Sequence, residues 1–185
     1  MIVIGITGTL GAGKGTIVDY LIEKRGFVHF SVRGFLVNEL EKRGMPVNRD
    51  TMTSLANELR AQHSPSYITD ELYKQAKAGG KNSVIESIRT PGEITSLRAK
   101  GNFYLFAVDA DPKVRFERIK QRKSSTDNID FDTFLANEKR EMTASDPNKQ
   151  NLSKCISEAD FVFDNNGDME ALYQQVEQVL NKLGI

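Results

Sequence analysis

The chain alternates short apolar runs with longer stretches whose apolar positions recur every three or four residues. Residues 2–7 (IVIGIT), 27–30, 83–87 (SVIES), 103–108 and 161–163 are compact apolar runs and predict five strands. Between them the period changes. Ile17, Val18, Leu21 and Ile22 give residues 14–25 a helical stripe that ends at Gly26, a natural residue for a helix C-terminus. A second helix is predicted over 33–42, closed by Gly44. A third starts with Asp50 or Thr51 as its cap and runs to about residue 62, and Ser64-Pro65 opens a fourth with proline in its first turn. Thr90-Pro91-Gly92-Glu93 reads as a capping box, and Asp111-Pro112 begins a helix to about residue 122. Further helices are predicted over 130–142, 152–158 and 169–183, with a polar, mobile stretch at 124–128.

Continuous apolar strands alternating with helices imply a parallel sheet covered on both faces. The fold class expected is α/β, with ligands bound outside the carboxyl ends of the strands. Residues just after each apolar run are therefore where chemistry belongs.

Composition narrows the partners. A chain of 185 residues suits one domain spanning 1–185, with no internal repeat. Lys and Arg number 25, as do Asp and Glu, so no global charge favours nucleic acid or membrane. No run approaches the roughly 18 apolar residues of a membrane span, and residues 2–6 read as a strand, not a leader. One cysteine, Cys155, leaves no internal disulfide and, with two histidines, no ordinary structural zinc site. A cytoplasmic location, as monomer or homodimer, is the default expectation.

The first strand leads into Gly8-Thr9-Leu10-Gly11-Ala12-Gly13-Lys14-Gly15-Thr16, a phosphate loop of the Walker A kind set between strand and helix. Glycines let the main chain approach a ligand closely, and successive amides at a helix N-terminus make a nest for anions. Lys14 supplies a point charge for the β- and γ-phosphates. Most such loops carry Ser or Thr after the lysine to hold magnesium. Here Gly15 stands there and the hydroxyl comes at Thr16, leaving direct or water-mediated magnesium binding open.

This GxGKGT loop resembles that of adenylate kinase and other nucleoside-monophosphate kinases, and further stretches extend the likeness. "HFSVRGFL" (29–36) is similar to the segment that holds the acceptor nucleotide, with Val37 where the family has arginine and Arg33 as the nearest substitute. "VIESIR" (84–89) is similar to the strand ending in acid-Gly-x-x-Arg. That resemblance implies Glu86 near the metal and Arg89 on the acceptor phosphate, a geometry suited to paired hydrogen bonds. "VDADPKVRFERIKQR" (108–122) resembles the fourth strand and the helix leading to the lid, so arginines matching Arg118 and Arg122 are implied to clamp the transferring phosphoryl group. Arg115, Arg118 and Arg122 fall on one helical face by spacing. Asp109 and Asp111 form a carboxylate pair in which Asp111 reads as a helix cap. Lys139 or Arg140 reaches the phosphates or stays solvated. "EADFVFDNNGDMEALYQQV" (158–176) resembles the end of dephospho-CoA kinases, where Asn165, Asn166 and Gly167 either line the adenine pocket or only turn the chain.

Across nearly the whole chain the resemblance is to an archaeal group described as adenylate-kinase-related or dephospho-CoA-kinase-like, carried by "LANELR", "IESIRTPGE" and "VDADPKVRFERI". It implies the three-layer α/β/α fold of P-loop NTPases, with a five-stranded parallel sheet, a helical acceptor-binding insert at 33–80 and a short lid at 118–142. The activity implied is transfer of the ATP γ-phosphoryl group, with Mg2+, to a phosphorylated small molecule. The site residues expected are Lys14, Arg118 and Arg122 for catalysis, Gly8 to Thr16 for the nucleotide, Arg33, Arg60 and Arg89 for the acceptor, and Thr16 and Glu86 for the metal. Arg60 lies in the acceptor region with its role open. A (deoxy)nucleoside monophosphate is the first acceptor expected. Dephospho-CoA is the alternative, weakened because Ser31-Val32-Arg33-Gly34 offers no carboxylate base after the second strand. A regulatory ATPase switch is the other alternative, without a recognisable water-positioning residue.

Overall fold

A computed structural model of the protein describes residues 1–122 and 129–185. Five strands, β1 (Val3–Gly8), β2 (Val28–Ser31), β3 (Ser83–Glu86), β4 (Phe103–Asp109) and β5 (Phe161–Asp164), form one sheet in the order β2-β3-β1-β4-β5. Every neighbouring pair is parallel. β1 is buried along its whole length, and its side chains alternate between the two faces of the sheet. On one face Ile4 and Ile6 join Phe106 and Phe163 against α1 (Lys14–Arg25) and α9 (Met169–Leu183). On the other, Val3, Ile85 and Leu105 pack under α2 (Val32–Lys42), α3 (Arg49–Gln62), α4 (Tyr67–Gly79), α5 (Pro91–Ala99) and α8 (Leu152–Ser157). Each wholly buried Ile or Leu contributes about 1.5–3 kcal/mol, so the core rests on these two layers. The remaining helices are α6 (Pro112–Gln121), which follows β4, and α7 (Phe131–Met142), which packs against α6 and α8.

Chain direction changes sides after β1. The strand following α1 is placed two positions to one side, and β4 lies on the other, so β1 faces a switch point at its carboxyl end. That is where the glycine loop begins.

Local signals place most boundaries. Gly26 closes α1 at φ 65°, its amide returning to the Ile22 carbonyl, and Thr90 and Glu93 form the expected capping box. Asp111 caps α6 by accepting from the Lys113 amide. Two starts differ from expectation. Asn48, not Asp50 or Thr51, caps α3, with Thr51 completing a reciprocal capping box. Pro65 lies before α4 rather than in its first turn, because the Tyr67 amide turns back to the Ser64 carbonyl. Pro65 packs on Gly92 instead, where an added Cβ would approach it to 2.6 Å. The expected mobile stretch at 124–128, and with it the middle of the expected lid, lies outside the described residues.

Candidate active site

Gly8 and Gly13 are among the glycines that shape the loop between β1 and α1. Gly8 has φ 142°, and a Cβ there would meet the Val108 carbonyl at 2.2 Å. Gly13 has φ 106°, and a Cβ there would lie 2.2 Å from Asn165 Nδ2, which donates to the Ala12 carbonyl at 2.8 Å. Gly13 is the N-cap of α1, with no side-chain cap and no acidic residue in the first turn. The opening amides and dipole of α1 are thus presented to an anion. Thr9 Oγ1 anchors the loop to Asp109 at 2.6 Å. Gly15 differs from these glycines, since a Cβ on it would meet open space.

Lys14 Nζ donates to the carbonyls of Gly8 and Thr9 at 2.9 and 2.8 Å, which folds the ammonium over the loop. Burial, reinforced by the nearby Arg89 charge, lowers its pKa from 10.5 to about 7. A group at that value is poised to gain charge when phosphate arrives.

Lys14 opens into a cavity of about 650 Å³ that also takes in Gly15, Thr16, Arg33, Glu86, Arg89 and Arg122. Donor-loop and acceptor-side residues expected from the sequence therefore face one space. Val32, Leu36, Met52 and Ala56 give this cavity an apolar wall. A second cavity of about 460 Å³ lies beyond Gly13, Thr16 and Arg122, bounded by Arg118, Asn165, Gly167 and Met169. Arg118 belongs to this second cavity and donates to the Gly167 carbonyl at 3.3 Å. Asn165 and Gly167 both turn the chain and line a cavity, while Asn166 bonds within the turn to Asp164 and caps the Asp111 amide.

Three arginines are tied to other groups of the chain. Arg115 does not share a solvated face with Arg118 and Arg122. It is 2% exposed, donates to the carbonyls of Ala110 and Leu10, pairs with Glu138 of α7 and lies against the Phe134 ring. It is a strut behind the glycine loop. Arg60 is 1% exposed and pairs at 3.0 Å with the wholly buried Glu93, though its side also reaches the cavity wall. Its Nε and Nη1 have no hydrogen-bond partner among the described residues. Arg89 is held by Gln150 and by Glu141, each at 2.8 Å.

Glu93 ties this wall together. One oxygen takes Arg60, and the other takes the amides of Arg89 and Thr90 at 2.7 and 3.0 Å. Ser87, between β3 and Arg89, adopts φ 76°, a left-handed conformation costly to a non-glycine residue. Glu141 and Arg49 are site residues that the sequence reading missed. Arg49 of α3 lines the cavity and bonds Glu141, so two arginines share one carboxylate. Lys139 and Arg140 lie on the exposed side of α7, Arg140 within 3.6 Å of Asp50.

For a metal, the relevant oxygens are Thr16 Oγ1 and Glu86. Burial pushes the Glu86 carboxyl up, but a 3.1 Å bond to His29 and the Lys14 charge outweigh this and hold it below the usual range. Among the described residues no three His, Cys, Asp or Glu cluster as a metal cage. One carboxylate and one hydroxyl fit an ion such as Mg2+ that keeps waters and shares phosphate oxygens.

Residues 4–146 match the family described as an AAA domain. The UPF0200 protein PAE1629 of Pyrobaculum aerophilum is 31% identical over 183 residues, covering 98% of each chain. The chain belongs to the UPF0200 family. A UPF0200 protein of Methanococcus maripaludis is 29% identical over 186 residues, covering 99% of this chain and 98% of its own. Among solved structures, a shikimate kinase from Bacteroides thetaiotaomicron aligns at TM-score 0.62 and 14% identity, covering 100% of this chain and 99% of its own. A gluconokinase from Sinorhizobium meliloti aligns at 0.57 and 14%, covering 98% and 93%. This UPF0200 chain thus has the P-loop kinase fold, with the sheet order and loop described above. No helix among the described residues is long and apolar enough to cross a membrane.

Proposed function

We propose that the protein is an ATP-dependent phosphotransferase whose acceptor is a phosphorylated small molecule, with a (deoxy)nucleoside monophosphate as the first choice. The observation that carries this reading is the single cavity in which Lys14 and Thr16 face Arg33, Arg89 and Arg122. Phosphoryl transfer asks a protein mainly to position two anions and to neutralise charge that spreads over the moving group. The α1 amides and Lys14 hold the ATP β- and γ-phosphates. Arg33 and Arg89 bring the acceptor's own phosphate alongside. An acceptor oxygen then attacks the γ-phosphorus, the bond to the β-phosphate oxygen breaks, and ADP leaves with the electron pair. Arg122 stands where donor and acceptor cavities meet, the position for stabilising charge in flight, and Arg118 guards the nucleoside end. Thr16 and Glu86 would hold Mg2+, directly or through water, and that ion supplies charge neutralisation at the phosphate oxygens.

The apolar wall of Val32, Leu36, Met52 and Ala56 favours an acceptor with a flat, weakly polar body such as a nucleobase over a small polyol. The test is ADP formation from ATP-Mg with a panel of nucleoside monophosphates, dephospho-CoA, shikimate and gluconate. A monophosphate should stimulate turnover, and Lys14→Ala should abolish it with the fold retained. ADP release that no acceptor stimulates would instead support a regulatory ATPase, and selective stimulation by an unphosphorylated polyol would overturn the acceptor assignment.

A further inference from the structure

The acceptor cavity contains an arginine pair already engaged by a carboxylate of the same chain. Glu141 is 4% exposed and reaches in from α7. Its Oε1 accepts from Arg49 Nη2 of α3, and its Oε2 accepts from Arg89 Nη1 at 2.8 Å. The two arginines come from elements far apart in sequence and grip one oxygen each, the arrangement in which guanidinium groups bind a free carboxylate or phosphate. The donors present exceed what Glu141 can use. Arg49 Nε, and Nε and Nη1 of the buried Arg60 on the same cavity wall, find no hydrogen-bond partner among the described residues. A planar carboxylate offers two oxygens; a phosphate monoester offers three, directed tetrahedrally.

We propose that Arg49, Arg60 and Arg89 form the phosphate-monoester subsite of the acceptor cavity, and that Glu141 is its resident occupant, displaced when the acceptor's phosphate enters. The inference rests on the phosphotransferase reading for the identity of the incoming group, and it adds an assignment of Arg49 and a built-in competitor. It also couples the subsite to the donor loop. Three residues before Glu141 on α7, Glu138 pairs with Arg115, which donates to the Leu10 carbonyl of the glycine loop. Displacing Glu141 therefore releases one carboxylate tether on a helix whose Glu138 tether ends, through Arg115, at the nucleotide loop.

A resident competitor lowers apparent affinity by the fraction of time that it leaves the site free. Inorganic phosphate is the probe, titrated against the full chain without nucleotide and followed by calorimetry and by the phosphate-dependent shift in melting temperature. Glu141→Gln keeps the shape and removes the charge. It should tighten phosphate binding by roughly tenfold if Glu141 holds the clamp about nine-tenths of the time. Arg49→Gln added to Glu141→Gln should erase the gain, which separates this subsite from phosphate bound at the glycine loop.

If Glu141 only fastens α7, the Gln variant melts lower at every phosphate concentration without binding phosphate more tightly, and the proposal fails. A gain that survives Arg49→Gln also overturns it. Should Glu141→Gln not fold, Glu141→Asp, one methylene shorter, is read by the same titration: tighter binding supports displacement and unchanged binding refutes it. No phosphoryl transfer is measured, so a chain inactive on every acceptor can still pass this test, and an active one can still fail it.

Discussion

Nucleotide binding should draw a proton onto Lys14. Without ligand the ammonium is buried beside Arg89, and its pKa falls from 10.5 to about 7. At about pH 8 such a group is roughly one-tenth protonated. A β,γ-phosphate placed against Nζ brings the opposite charge within contact distance and returns the pKa toward its ordinary range. Binding at about pH 8 must then take up roughly 0.9 proton, and at about pH 6 only roughly 0.1. The same linkage makes affinity fall as pH rises above 7, approaching about tenfold per pH unit, since one unit of pKa difference equals 1.36 kcal/mol. The higher pH lies above the last ionisation of a phosphate monoester at about 6, so the ligand itself contributes little there.

The assay is calorimetry of ATP binding at about pH 8 in two buffers of different ionisation enthalpy, with Lys14→Met as the control. The observed heat should differ between buffers for the native chain and coincide for the variant. Heat independent of buffer in the native chain, with affinity flat from pH 7 to pH 9, would refute the placement of Lys14 on the phosphates. The stability of the ligand-free chain checks the sign independently. Between about pH 7 and 10.5 the unfolded chain keeps a proton that folded Lys14 has lost, so stability must rise across that window as pH increases.

The scaffold around the site makes three further predictions. Gly13→Ala should lower stability by at least about 2 kcal/mol in urea unfolding and weaken ATP binding, because φ 106° disfavours a side chain and the new Cβ would break the Asn165 contact. Unchanged unfolding would mean that the loop tolerates a different backbone. Glu93→Ala should cost about 3–5 kcal/mol, measured the same way, since it strands the buried Arg60 charge and leaves two amides unsatisfied. Ser87→Gly should leave the chain as stable or more stable by up to about 1 kcal/mol, because it relieves φ 76°. A clear loss of stability would show that the serine side chain itself is needed there.

The sheet, the glycine loop and several of the helix caps were legible because each is written in a few adjacent residues. Thr90 and Glu93 are three apart, and Gly8 to Thr16 is one uninterrupted stretch. The convergence of Lys14 with Arg33 and Arg89 was legible one step further on, since all three follow strands that end at the same edge of a parallel sheet. Arg115, Arg60 and Glu141 were not legible in that way. A helical wheel assigns Arg115, Arg118 and Arg122 to one face, but a face meets different neighbours along its length. At its beginning α6 abuts Leu10 and Glu138, whereas its end passes the two cavities.

A signal for the buried charges was nonetheless present in the periodicity. Arg60 follows Ala56 by four residues on the face of α3 that buries Leu55, Ala56 and Leu59, so its guanidinium had to enter the interior. Phe134, Glu138 and Glu141 stand at i, i+4 and i+7 on α7, and Phe134 is wholly buried. Two carboxylates on an inward face cannot remain charged unless cations come to meet them, because the desolvation cost is several kcal/mol per ion. The pattern therefore required cations from other elements, and no pattern within α7 could say which. Arg49, 92 residues before Glu141, and Arg89, 52 residues before it, answer that requirement only after the sheet has brought α3, β3 and α7 to one edge. The demand for a counter-ion is local and readable, whereas its supply is tertiary. An inward carboxylate whose partners line a ligand cavity, unlike Glu138 behind the loop, is the one whose partners a substrate can also claim.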